Sequence, residues 1–195
     1  MTRLARGLFA LITLASTSVL RAAEPRALLG AHVACDVVVA SRLAAGCPAG
    51  EVFGRLFVSA PVAIEISAGY RHFTLDNYGG RYSSSYTLTQ YPLLVGASYV
   101  VAPGASLRPF LGAGFMLALS KSSFSSYLYP GPAISSSNSS VVLGAFAKAG
   151  LQVALGRTLA LDSDVRYVFN PVPSNSGAPT AQHYASGQLG LAATF

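Results

Sequence analysis

The sequence has no tryptophan, only two cysteines and little charge: Asp, Glu, Lys and Arg make up 10% of its 195 residues, where a soluble domain carries about a quarter. Long apolar runs are missing too. Beyond residue 20, polar residues interrupt every window of the length a transmembrane helix needs, so helical spans are excluded there. Two cysteines cannot supply a structural zinc set by themselves. No basic run interleaved with aromatics is present, which leaves nucleic-acid binding without support.

What is there is apolar. Hydrophobic residues reach 52% and the mean hydropathy is positive, a composition suited to lipid. Without spanning helices, lipid permits one other backbone arrangement, a closed β-barrel, because an open strand edge would leave polar groups unsatisfied.

Arg3 and Arg6 precede an apolar core from Leu8 to Leu14, followed by small residues and Ala22-Ala23. This layout predicts a signal peptide over 1–23 and a barrel over 24–195, with a membrane-anchoring helix as the alternative for the leader. Arg21 interrupts an Ala-x-Ala site and leaves the cleavage point open. Without the leader, ten basic residues face seven acidic ones, so much of the +6 net charge belongs to it. Cys35 and Cys47 lie across a predicted loop of an exported chain, which predicts a disulfide, free thiols being the alternative.

Eight strands are expected: 27–36, 51–58, 62–74, 91–101, 107–119, 141–155, 159–169 and 183–195. Pro and Gly mark the turns, as at Ala102-Pro103-Gly104. Short connections alternate with long ones near 40–50, 75–90, 120–140 and 170–182, so all long loops fall at one rim. The fold class is all-β, an eight-stranded antiparallel up-and-down transmembrane β-barrel.

Strand faces say which side is dry. In 141–155 every odd residue is apolar, while Lys148 and Gln152 are even. Asp162, Asp164 and Arg166 oppose Leu159, Leu161, Val165, Tyr167 and Phe169; Arg108 opposes Leu111 and Phe115; Glu65 and Arg71 oppose Ile64 and Ile66. Gly112, Gly114, Gly150 and Gly190 share the charged face, where an eight-stranded interior is narrow. Charges therefore point in and aliphatics point to lipid. An interior network of Arg55, Glu65, Arg71, Arg108, Lys148, Asp162, Asp164 and Arg166, with Asp36 at its margin, is expected to plug the lumen by pairing.

Catalysis finds little support. His183 and Ser186 fall on opposite faces of the last strand, and His32 and His72 show no acid partner on a shared face. No enzyme activity, cofactor or metal is expected. The predicted loops are rich in Ser, Tyr, Gly and Asn, suited to contact with an extracellular ligand or simply to solvent. Tyr70, Tyr91, Tyr167 and Phe169 end their strands as an aromatic girdle would.

Leu107-Arg108-Pro109-Phe110-Leu111-Gly112-Ala113-Gly114-Phe115 resembles the Pro-aromatic-x-Gly-x-Gly strand of the small outer-membrane β-barrel proteins. Gly150 to Phe169 is similar to the following hairpin, and Gln188-x-Gly190-x-x-Ala193-x-Phe195 resembles the C-terminal signal read by the barrel-assembly machinery, with Ala193 in place of a larger hydrophobe. The resemblance implies a porin-like or adhesin-like barrel in the outer membrane of a Gram-negative bacterium, with both termini periplasmic. Outer-membrane lipids and the assembly machinery follow as implied partners. The function expected is structural or surface-interacting, with a lipid-modifying enzyme or a conduit for small apolar molecules as alternatives.

Overall fold

A computed structural model describes residues 26–38, 44–79, 82–128, 131–170 and 182–195. The signal peptide expected over 1–23 lies outside them. Eight strands follow one another: β1 (Ala27–Val38), β2 (Ala44–Ser59), β3 (Val62–Gly79), β4 (Tyr82–Val100), β5 (Leu107–Leu128), β6 (Ile134–Ala154), β7 (Leu159–Asn170) and β8 (Gln182–Thr194). Each pairs antiparallel with its neighbours in sequence, and β8 pairs with β1 to close the barrel. Closure is tied where β1 begins and β8 ends: the amides of Arg26 and Ala27 donate to the Phe195 carbonyl at 2.9 and 3.2 Å.

The alternation of the sequence becomes the wall. Phe115, Leu143 and Val165 stand outside, 77%, 68% and 65% exposed, and each is flanked along its strand by inward-pointing or small residues. Among the described residues, every charged side chain lies in the interior, in a terminal or turn segment, or on a strand beyond this apolar band. A water-soluble barrel would have the two faces exchanged.

Strand length departs from expectation. The connections read as long loops at 75–90 and 120–140 are mostly strand: β3 and β4 pair from Val62↔Tyr99 to Gly79↔Tyr82, and β5 and β6 from Leu107↔Val153 to Ser126↔Ile134. The 40–50 connection also shortens, because β2 starts at Ala44 rather than Glu51. Ser, Thr and Tyr pair well in a ladder, but outside lipid both faces are wet and the two-residue contrast that reveals a strand disappears. The connection expected at 170–182 lies outside the described residues over 171–181. At 22 residues β5 is about twice what a bilayer crossing needs. β3 to β6 therefore continue as a four-stranded sheet, whereas the β2–β3 pairing ends at Gly50↔Tyr70 and the β6–β7 pairing at Ala145↔Phe169.

Candidate functional site

The interior begins with a steric rule. Several large inward side chains lie across a glycine on the adjacent strand: Phe53 over Gly30, Phe110 over Gly150, Phe146 over Gly114 and, one strand further, Gly96, Lys148 over Gly112 and His32 over Gly190. A Cβ on Gly190 would approach His32 Cδ2 to 2.5 Å and press still closer on the Ala31 carbonyl. Small residues on one strand thus make the space that rings and charges on the next one fill.

Between those rings runs a belt of ion pairs. Arg166 donates from both terminal nitrogens to Glu51, at 2.8 and 3.0 Å. Arg71 joins Asp36 at 2.5 Å to Glu51 at 3.3 Å. Arg55 bridges Glu65 at 2.9 Å and Asp162 at 3.0 Å, and Lys148 donates to the other Glu65 oxygen. Gln188 accepts from Arg166 at 3.3 Å. Arg108, at the start of β5, donates to the Ala105 carbonyl at 2.8 Å.

Apolar layers lie on both sides of the belt. Leu28, Phe53 and Ala192, with Phe57 against them, fill the end near the short turns. Phe73, Leu88, Leu94, Met116, Ala118, Phe146, Val168 and Tyr184 fill the other. The guanidiniums lie over rings of both: Arg55 is 5.5 Å from the Phe53 ring and 4.5 Å from Phe110 beside it, Arg71 4.8 Å from Tyr184 and Arg166 5.2 Å from Phe146. Stacking suits a planar cation that is otherwise removed from water.

All eight residues expected in the interior network are buried, and Asp36 is buried with them. Two members were not anticipated. Glu51, the first residue of the expected strand 51–58 and on the same face as Arg55, is the shared acceptor of Arg71 and Arg166. His32, read as lacking an acid partner, has one: its Nε2 is 3.1 Å from Asp162 Oδ1. The correction has a topological cause. β8 stands between β1 and β7, with Gly190 registered opposite both His32 and Asp162, so the imidazole reaches over a residue without a side chain. Arg166 lies 3.8 Å from Asp164, while Asp162 is served by His32 and Arg55.

The other singled-out residues separate by face. Cys35 and Cys47 are exposed and joined in a disulfide that spans a β1–β2 register shift between Ala34 and Asp36. His183 is on the outer wall, 4.6 Å from the Phe169 ring and 6.0 Å from Tyr167, whereas Ser186 is buried inside. His72 contacts Thr89 at 3.1 Å. Tyr70 and Tyr91 pack at 5.7 Å on the outer wall, at the end away from the short turns. Of the C-terminal residues, Gln188 and Gly190 are built into the interior packing, and Phe195 ends the chain 71% exposed.

Above the tyrosines the sheet extension carries a hydroxyl face. Thr74, Thr87, Ser123 and Ser137 form one cross-strand row on the outside, and His72, Thr89, Lys121 and Ser139 the row below it. Leu88 and the partly buried Tyr86 lie on the inner face, where Tyr86 packs against the apolar layer.

No protein-family model and no curated protein sequence matches the chain. Solved structures do. Neisserial surface protein A (NspA) superposes with a TM-score of 0.58 at 19% identity, over 87% of this chain and 97% of that one. Ail, the attachment invasion locus protein of Yersinia pestis, gives 0.56 at 14%, over 88% and 99%. A major outer membrane protein from Thermus thermophilus gives 0.53 at 15%, over 87% and 99%. The chain has the fold of the eight-stranded outer-membrane β-barrels.

Proposed function

We propose that this protein is an integral outer-membrane barrel with a plugged interior, and that it acts through the sheet it raises beyond the lipid, in a structural or adhesin-like role. The observation that carries this reading is the length of β3 to β6, which run past the apolar band and past their flanking strands. Lipid requires about 9–11 residues per strand, so the remaining residues of β5 serve something other than spanning. Charge segregation and the apolar wall support a membrane location. Ion pairs closed between two apolar layers support a scaffold rather than a conduit. The short turns and both chain ends share one rim, which on this reading faces the periplasm. The tyrosine pair and the Tyr167–His183–Phe169 cluster mark the opposite interface. The C-terminal strand, ending on Phe195, would be offered to the barrel-assembly machinery. In place of four long loops, the display element is the serine- and tyrosine-rich sheet.

The register shows where to cut. Arg71↔Gln90, Gln90↔Ser120 and Ser120↔Ser140 form one row, so both hairpins can be trimmed to two-residue turns just above it. Cells displaying the intact or trimmed barrel are compared for attachment to immobilised glycans and matrix proteins. Outer-membrane fractionation and heat-modifiable migration show that each is folded. Attachment lost on trimming, with migration retained, supports the reading; equal attachment by intact, trimmed and vector-only cells overturns it.

A further inference from the structure

His32, Asp162 and Asp164 each place one ligand atom within 4.8 Å of the others, all three side chains being buried. The belt around them is unevenly satisfied. Arg55, Arg71, Lys148 and Arg166 donate hydrogen bonds to Asp36, Glu51, Glu65 and Asp162, but neither oxygen of Asp164 receives one. Its nearest cation, Arg166, is 3.8 Å away and engaged with Glu51. A carboxylate buried without hydrogen bonds is costly unless a proton or a cation neutralises it.

A second orphan sits beside it. Gln152 is fully buried with both amide atoms unpartnered, and its register partner on the inward face is Asp162. His32 Nδ1 is unpartnered as well. The carboxylate of Asp162 is already divided as a metal ligand would be: Arg55 holds Oδ2 at 3.0 Å, while Oδ1 faces His32 Nε2 at 3.1 Å. Ligating carboxylates are ordinarily steadied by such an outer hydrogen bond. The Phe53 ring, stacked 4.3 Å from the imidazole at 11°, fixes its plane. Metal bonds of about 2.0–2.2 Å set tetrahedral ligand atoms roughly 3.3–3.6 Å apart. The His32–Asp162 pair is near that spacing, and Asp164 needs a small side-chain rotation.

We propose that His32, Asp162 and Asp164 bind one divalent transition metal inside the barrel, with Gln152 as a fourth donor or an outer partner. One imidazole nitrogen with carboxylate oxygens suits zinc or manganese. For Nε2 to ligate, the neutral imidazole carries its proton on Nδ1, the metal takes the place of the hydrogen bond between Nε2 and Asp162, and any proton held by the two carboxyl groups leaves to solvent.

Because the site is enclosed, the full chain is refolded into detergent micelles with Zn2+ or Mn2+ present, then dialysed, and metal per chain is measured. One equivalent that X-ray absorption assigns a single imidazole and oxygen ligands is the expected result. Asp164→Asn, which removes no hydrogen bond, is expected to abolish retention, and Gln152→Leu to weaken it by about 10–100-fold. Wild-type protein that retains neither metal, a metal with no imidazole ligand, or retention unchanged in folded Asp164→Asn each overturns the proposal. The wild-type measurement decides it even where a variant fails to fold.

Discussion

Arg166 on β7 grips Glu51 on β2 across the barrel, each terminal nitrogen on its own oxygen at 2.8 and 3.0 Å, though the two are 115 positions apart in sequence. Arg71 shares the same carboxylate. Removing Glu51 would leave two buried guanidiniums short of an acceptor, and breaking a buried pair from one side costs about 3–5 kcal/mol. Glu51→Ala is therefore expected to lower the urea midpoint of the refolded barrel sharply. Replacing Glu51 and Arg166 together by apolar residues of similar size is expected to recover part of the loss. A single substitution with no effect would show that the fork contributes nothing to stability.

Gly190 and Gly187 lie three positions apart on β8 and provide a controlled pair. A Cβ at Gly190 meets the Ala31 carbonyl and the His32 ring, while at Gly187 it meets nothing within 4 Å. Overpacking costs about 1–3 kcal/mol when neighbours can shift, and here one neighbour is backbone. Gly190→Ala is expected to impair assembly, read as loss of the heat-modifiable form, and Gly187→Ala to leave it unchanged. Equal behaviour of the two would contradict the packing of His32 over β8.

These two residues also show what could be read from the chain. Strand number, the inward charges and the β8–β1 closure follow from a two-residue alternation that lipid makes strict, because an exposed charge in the apolar band is costly. Gly190 could be assigned to the tight interior, but not what crosses it. His32 and Asp162 are 130 positions apart and meet only because the barrel closes, a relationship without a local signal. Glu51 could be placed on the face of Arg55 at the start of the expected strand 51–58, but its partner Arg166 stands on β7, 115 positions away, and only the folded barrel brings the two together. The serine stretches failed differently: water on both faces removes the contrast on which strand assignment depends.

The boundary of the apolar band can be tested on β5 alone. Phe115 stands on the outer wall between Leu111 and Leu119, and Ser125 lies on the same face farther along. An arginine near the bilayer midplane costs about 2–4 kcal/mol and near or beyond the interface about 0–1. Phe115→Arg is expected to lower unfolding stability in lipid vesicles by that larger amount, with Ser125→Arg nearly silent. A reversed order would move the membrane to the serine-rich end.

The disulfide tethers β1 to β2, with Cα atoms 4.8 Å apart and the cysteines twelve positions apart in sequence. Closing a loop of that size in the unfolded chain is worth about 3 kcal/mol on the chain-entropy account. Reduction, or Cys35→Ser with Cys47→Ser, is expected to lower the denaturant midpoint without altering far-UV signal, since the β1–β2 ladder continues on either side. An unchanged midpoint would mean that the unfolded state in detergent already keeps the hairpin.

Ion flow through the lumen requires two kinds of barrier to be removed. Leu28, Phe53 and Ala192 close the end near the short turns, and the cluster around Phe73, Met116, Phe146 and Tyr184 closes the other. Between them Arg55, 1% exposed, is held by Glu65 and Asp162 and stacked on Phe110. Thinning one layer, as in Phe53→Ala, leaves the belt and the second layer in place. Planar bilayers are therefore expected to show no steady conductance with either wild type or Phe53→Ala. Only a combined variant such as Phe53→Ala with Arg55→Ala and Phe146→Ala is expected to pass current, at a cost in stability from the exposed carboxylates. Sustained channels from the wild-type barrel would mean that the stacked guanidiniums move aside, and the interior would then be a gate rather than a plug.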